Sequence, residues 1–394
     1  MISFAVTEDQ EMVRETVRKF AAEEIRPRLR ELEHAGVPDD LRDRFHALGL
    51  SLVDVPEALG GLGLDTFTAC LIHEELALGD PGAAVALWAP GFVAAAVVEL
   101  ASPEQATRLL APFAQSGRRR GAVAWSEPGR GSEAGFATRA RRDGAGWIVD
   151  GDKVHVMNGD GADTLVVFAQ QDGAGDGWGG LGAFVAEGAT PGVREAWLGL
   201  KTVPAAPVAL RGCRAERLSG AADVDMVAAT RRMFARIGLM SAARQVGLAR
   251  ASYEHALAFT QDRTAFGKPV AHFQAVAFTL AEMHMDVESA RWMLWKAAVE
   301  FDAGAAGALE AVARAAVHAN DAAWRVADNG VQLLGGAGFI QDYPVEKWMR
   351  DTKALALMGQ TSEGHRLTVA SAAVGQPGAF GPGLPSPWIQ PVVT

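Results

Sequence analysis

Residues Gly146–Ala169 read GWIVDGDKVHVMNGDGADTLVVFA, and no helical period fits them. The runs Trp147–Val149, Lys153–Val156 and Thr164–Ala169 are punctuated by Gly144-Ala145-Gly146 and Asp150-Gly151, which are strand and turn signals. The same texture extends from about Gly121 to Val224, too short and too broken for a doubly wound sheet, so a small antiparallel β-barrel is expected. One loose dinucleotide fingerprint, Gly129-x-Gly131-x-x-Ala134, follows Pro128 and opens no apolar-periodic helix, which argues against a Rossmann unit.

On both sides of this segment the period becomes helical. Thr7 and Gln10 have capping-box spacing, and Met12, Val13, Val17, Phe20 and Ala21 share one face up to Pro27; helical patterns then continue to about residue 115. After Val227, Phe273, Val276, Leu280, Met283 and Val287 recur at spacings of three and four, as in a helical bundle. The expected fold is therefore multidomain α+β: an N-terminal helical domain (1–120), a central β-domain (121–224) and a C-terminal four-helix bundle (225–375). A Pro-rich tail (376–394) that cannot continue a helix follows.

With 47 acidic against 37 basic side chains, the 394-residue chain carries a net charge of −10, which gives nucleic acid or an anionic membrane no electrostatic footprint. Cys70 and Cys213 cannot supply a disulfide framework, and the N-terminus MISFAVTEDQ lacks a signal-like basic and apolar pair of regions, so the cytoplasm is expected. Pro81–Val98 runs 18 residues without a charge, but Pro90-Gly91 interrupts it and it is rich in Ala and Gly. Two buried helices fit better than a membrane span. His284 and Glu288 share a helical face without a third ligand, so no metal site is expected.

Four stretches carry possible chemistry. In AWSEPGRGSE (Ala124–Glu133), Ser126 and Ser132 flank a turn whose hydroxyls and N–H groups could meet a ligand's oxygens, or which is a plain hairpin turn. In RTAFGKPVAHFQ (Arg263–Gln274), a guanidinium suited to a pyrophosphate is followed by Phe266 and Gln274; alone this also reads as a surface arginine beside a core Phe. In QLLGGAGFIQDYPVEKWMRD (Gln332–Asp351), Gly335 and Gly336 permit close backbone approach or simply cap a helix. The fourth stretch is DGDKVHVMNGDGAD (Asp150–Asp163).

In this order, over nearly the whole length, the chain resembles the acyl-CoA dehydrogenases. The resemblance implies an FAD-dependent oxidoreductase acting on an acyl thioester, carried by CoA or a carrier protein, with electron-transfer flavoprotein or another acceptor taking the electrons. It implies cofactor contacts at Ser126, Ser132, Met157, Arg263, Phe266, Gln274, Gln332, Gly335, Gly336, Thr361 and Glu363, and substrate contacts at Ser132 and Arg366. A cofactor shared across subunits implies a homotetramer or homodimer.

Two departures bear on the chemistry. The resembled family removes the substrate α-proton with a Glu just before Gly-Thr, but here Leu357-Met358-Gly359-Gln360-Thr361 puts Gly359 at that position. The alternative base position on the first long helix of the bundle falls on Ile237, between Arg236 and Gly238. Glu363 is the nearest substitute carboxylate. Where the family has Trp-x-Thr beside the flavin, this chain has His155-Val156-Met157; a thioether cannot donate a hydrogen bond, whereas His155 is a candidate acid or base. The alternatives are a base-lacking partner subunit in a hetero-oligomer with a paralogue, or a flavin enzyme running non-oxidative elimination such as desulfination, or monooxygenase chemistry.

Overall fold

The computed structural model describes residues 6–129, 135–175, 177–220, 225–376, 378–381, 383–386 and 388–389. Helix α1 (Glu8–Phe20) begins with the expected capping box: Thr7 N–H donates to Gln10 Oε1 (3.0 Å) and Gln10 N–H to Thr7 Oγ1 (3.2 Å). It does not stop at Pro27. A widened π-turn (Ala21–Ile25) and a 3-10 turn (Arg26–Arg28) carry the chain into α2 (Leu29–Ala35), with Pro27 in a first-turn position where its missing N–H costs nothing.

Helices α3 (Asp39–Ala47), α4 (Thr66–Gly79), α5 (Pro81–Leu87), α6 (Ala89–Leu100) and α7 (Pro103–Gln115) complete the first region. The uncharged stretch is the α5–α6 pair, bent by 53° at Trp88, two residues before Pro90, and its residues are almost all buried. Among the described residues no single helix is long and apolar enough to cross a membrane.

Strands β1 (Gly121–Ala124), β2 (Glu127–Pro128), β3 (Arg139–Asp143), β4 (Gly146–Met157), β5 (Thr164–Gln171), β6 (Leu181–Ala186), β7 (Thr190–Pro191) and β8 (Ala205–Arg217) follow. The ring β5-β3-β4-β8-β6 closes because β6 pairs with both β8 and β5. Most pairings are antiparallel, as expected; β1–β5 and β3–β5 are parallel, since no tight turn joins either pair and none imposes the antiparallel sense.

Asp150-Gly151 is not a turn. It is a bulge within β4, where the register with β8 shifts and Gly151 presses so closely on Thr138 that a Cβ would lie 2.4 Å from Oγ1. A second register shift falls between Lys153 and Val156, and His155 there has φ +54°.

The bundle consists of α8 (Met226–Asp262), α9 (Gln274–Asp302), α10 (Ala308–Leu334), α11 (Val345–Leu355) and α12 (Ser362–Ala373). Leu280, Met283 and Val287 are buried on the expected face of α9. Between α8 and α9 lie two-residue strands β9 (Thr264–Ala265) and β10 (Lys268–Pro269). Near the end of the chain β11 (Trp388–Ile389) pairs in parallel with β2.

The first and last regions are riveted by fully buried Glu75 of α4, which accepts from Arg14 Nε (3.0 Å), Arg18 Nη2 (3.0 Å) and Arg250 Nη1 (2.9 Å). Burial alone would raise this carboxyl; the arginine bonds outweigh it and hold it at about 2. A carboxyl whose folded pKa is depressed stabilises fully above its unfolded value near 4.5 and loses that contribution as pH falls toward 2. Glu75→Gln is therefore expected to cost about 3 kcal/mol at neutral pH and to flatten the acid limb between those values, read by urea denaturation at a series of pH values.

Candidate active site

A cleft of about 440 Å³ opens where the barrel meets the bundle. Its barrel wall is Val123, Trp125, Ser126, Val154, His155 and Met157; its helical wall is Phe92 of α6, Phe234 and Ile237 of α8, and the turn Leu357–Gly359 with Thr361. Trp125 backs this space within an aromatic cluster, with ring centroids 4.9 Å from Phe136, 4.9 Å from Phe168 and 4.7 Å from Phe234.

The loop carrying Trp125 and Ser126 is pinned from below. Buried Lys153 Nζ donates to Trp125 O (3.1 Å) and to Glu127 Oε1 (2.8 Å), and Glu127 also accepts from the N–H groups of Ala137 (2.7 Å) and Thr138 (3.0 Å). Burial lowers the Lys153 ammonium to about 8 against the opposing pull of Glu127. From the far end of the chain, Pro385 O accepts from Trp125 Nε1 at 3.2 Å.

The two positions at which a base was sought converge on one spot. Gly359 has φ +72°, and a Cβ placed there would lie 3.2 Å from Ile237 Cγ2 and 3.9 Å from Phe234. Neither supplies a carboxylate, and among the described residues no Asp or Glu lines the cleft. Glu363 is not brought to the wall: it points outward, its side chain 79% exposed and 3.9 Å from Arg366. Arg366 in turn pairs with Asp321 at 2.7 Å, outside the cleft.

His155 does reach the cleft, at its rim. Its Nδ1 lies 2.6 Å from Glu195 Oε2, its backbone N–H donates to Glu195 Oε1 (3.1 Å), and Trp197 Nε1 donates to Oε2 (2.7 Å). Burial pushes the Glu195 carboxyl up, but these bonds prevail and keep it below the usual carboxylate range. The bulge in β4 aims His155 at this carboxylate. Sequence reasoning missed Glu195, 40 residues away, and also Phe92, Trp197 and Phe234, which carry no motif of their own, and it passed over Trp125 inside the Ala124–Glu133 stretch.

The remaining candidates form a second, distant group. Arg263, Phe266 and Gln274 lie at the C-terminal end of α8 and the start of α9; Phe266 is 96% exposed, and among the described residues the Arg263 guanidinium has no ion-pair partner. Gln332, Gly335 and Gly336 close α10, which runs parallel to α8, so they sit at the same end; a Cβ on either glycine would meet open space. From Ile237 to Arg263 the intervening helix measures roughly 39 Å at 1.5 Å per residue. The distal group of one chain thus stands most of a long helix away from its own cleft. Ser132, together with Gly131 and Ala134 of the loose fingerprint, lies outside the described residues.

These residues fit a flavin dinucleotide in two halves. The unpaired guanidinium, the exposed amides and the open glycine bend suit a pyrophosphate and nucleoside, and the flat aromatic cleft suits a ring system, although Met157 offers it no donor. Among the described residues no group of three potential metal ligands occurs.

Family models described as the acyl-CoA dehydrogenase N-terminal, middle and C-terminal domains match residues 7–117, 122–213 and 227–374. A cyclohex-1-ene-1-carbonyl-CoA dehydrogenase from Geobacter metallireducens is 34% identical over 380 residues, covering 93% of this chain and 98% of the relative. Butyryl-CoA dehydrogenase from Megasphaera elsdenii superposes with a TM-score of 0.87 at 28% identity, over 95% of this chain and 100% of that one. A Mycobacterium smegmatis glutaryl-CoA dehydrogenase solved in complex with FADH2 gives 0.85 at 25% identity, over 94% and 96%. The matches run in register through all three regions that build the cleft, and the chain belongs to the acyl-CoA dehydrogenase family.

Proposed function

We propose that this protein is a cytoplasmic flavoenzyme that binds FAD and oxidises an acyl thioester, carried by CoA or a carrier protein, in the cleft between barrel and bundle. The observation that carries this reading is the cleft itself, with Ser126, Met157 and Thr361 on its wall and room for a flat ring between Trp125 and Ile237. FAD supplies the two-electron acceptor when bound. The chain's own residues orient and exclude water: Phe92, Trp125, Phe234 and Leu357 make the site apolar, and the Thr361 hydroxyl, whose oxygen caps α12 by accepting from Gly364 N–H, keeps its proton free to donate.

The roughly 39 Å between cleft and distal group supports a cofactor held between protomers. Arg263, Phe266, Gln274, Gln332, Gly335 and Gly336 of one copy would close over the nucleotide in the cleft of the next, in a homotetramer or homodimer, and the exposed Phe266 and Phe339 would be covered there. Electron-transfer flavoprotein or a comparable acceptor would reoxidise the cofactor. Purified protein is expected to be yellow, and an acyl-CoA added anaerobically to bleach it. Colourless protein that cannot be reconstituted would remove this reading.

A second reading is favoured by one asymmetry: both base positions are apolar in the cleft, whereas the distal group that would serve a neighbour is complete. In this reading the chain is the base-lacking subunit of a hetero-oligomer with a paralogue. Dehydrogenase activity of the chain expressed alone decides against it; activity only on co-expression decides for it.

A further inference from the structure

Behind the cleft floor lies a cluster of buried donors that the oxidation does not use. Phe92, which lines the cleft, packs on Trp88 with ring centroids 4.8 Å apart; the Arg244 guanidinium lies 4.7 Å over the Trp88 ring, and His73 meets that ring edge-on at 5.3 Å. Arg244 and Trp88 are fully buried and His73 is 1% exposed. On α8, Ile237, Ser241 and Arg244 follow one another at spacings of four and three, so the face that enters the cleft at Ile237 continues to the arginine, roughly 10 Å further in.

The cluster holds donors and lacks an acceptor of charge. Arg244 Nη2 lies 3.3 Å from His73 Nδ1, which must therefore accept, leaving the neutral imidazole's proton on Nε2. That Nε2, Arg244 Nε and Nη1, Trp88 Nε1 and Ser241 Oγ have no partner among the described residues, and no carboxylate pairs with Arg244. Burial lowers Arg244 to about 9, with only Cys70 opposing, and pushes His73 well below its ordinary value, with Arg244 adding to the shift. A guanidinium taken out of water without a counter-charge is costly, and stays in a fold only where something offsets the cost.

Resting on the thioester reading above, we propose that Arg244, with His73 beside it, forms a buried anion site that receives a carboxylate at the far end of the acyl chain, reached past Phe92. The substrates so selected are monothioesters of dicarboxylic acids. Arg244 Nε and Nη1 are both without a partner and lie on different edges of the guanidinium; on the edge whose Nη2 proton His73 does not take, a carboxylate accepts from two parallel N–H groups. Phe92 lines the cleft and packs on Trp88 of the cluster, and a rotating side chain, unlike backbone, can yield to a ligand.

The test is a calorimetric titration of the flavin-loaded protein with two series of CoA thioesters matched in length, one ending in methyl and one in carboxylate. At one length at least, the carboxylate-ended thioester is expected to bind about 10- to 100-fold tighter, and Arg244→Met to cancel that preference while leaving the methyl-ended series unchanged. Arg244→Met is also expected to melt no lower than the parent, which separates a recognition role from a structural one. Equal binding of both series at every length, or a preference that survives in Arg244→Met, overturns the site. Stabilisation of the parent by chloride alone, with no preference between the series, makes it an inorganic-anion site and also overturns the proposal. Binding of neither series defeats the thioester reading itself, and the proposal with it.

Discussion

Ile237→Glu is expected to raise the rate of α,β-dehydrogenation by about 10²- to 10⁴-fold, the usual worth of a positioned general base. Ile237 lines the cleft from within a regular helix, so a glutamate there adopts an ordinary backbone conformation and projects toward the space beside Gly359. Burial among Phe92, Phe234 and Leu357 will raise its pKa, and the added rate should appear with a sigmoid dependence on pH rather than a flat one. Gly359→Glu should gain less. Its φ of +72° costs a non-glycine residue about 1 to 2 kcal/mol, and its Cβ must displace Ile237 Cγ2, now 3.2 Å away. Steady-state turnover of an acyl-CoA with a dye acceptor, alongside flavin content, checks both. A flavin-loaded Ile237→Glu protein with no gain would mean that the thioester α-carbon does not sit between these two walls.

The second large effect concerns the support under the cleft. Lys153→Met is expected to cost about 3 to 5 kcal/mol, because it leaves the Glu127 carboxylate, 1% exposed, without its counter-charge at 2.8 Å. The loss should extend to function, since the same ammonium holds Trp125 O at 3.1 Å and thereby the wall that carries Ser126. Lys153→Met/Glu127→Gln should recover part of the stability, because no charge remains buried, although the amide oxygen can accept from only one of Ala137 N–H and Thr138 N–H, which now use different carboxylate oxygens. Urea midpoints of the two proteins measure this. Equal midpoints for the single and double variants would show that the pair's charge is not what stabilises the loop.

What the sequence disclosed follows from the range of the forces involved. The capping box at Thr7 and Gln10, the apolar face of α9 and the strand runs of β4 and β5 depend on neighbours within a few residues, and they stand where pattern put them. Asp150-Gly151 misled because a glycine in a strand serves a bulge as readily as a turn, and only the partner strand distinguishes the two. The cleft was legible as a set of motif residues but not as a shape. That Ile237 and Gly359 face one another, that Glu195 holds His155, and that Arg244 meets His73 from 171 positions away are facts of tertiary packing with no local signature. The separation of Arg263 from Ile237 was implicit in the length of α8, since a helix is a ruler.

The contact between Trp125 and Pro385 spans 260 residues. At a ribosomal pace of 5 to 20 residues per second, roughly 10 to 50 seconds pass between emergence of the indole and arrival of its carbonyl. The barrel can form its ladder within that interval, but the indole N–H must wait, exposed to water or to whatever else offers an acceptor. Nascent chains stalled in that window would carry a folded barrel with an unfinished rim, which is where a chaperone would be expected to bind.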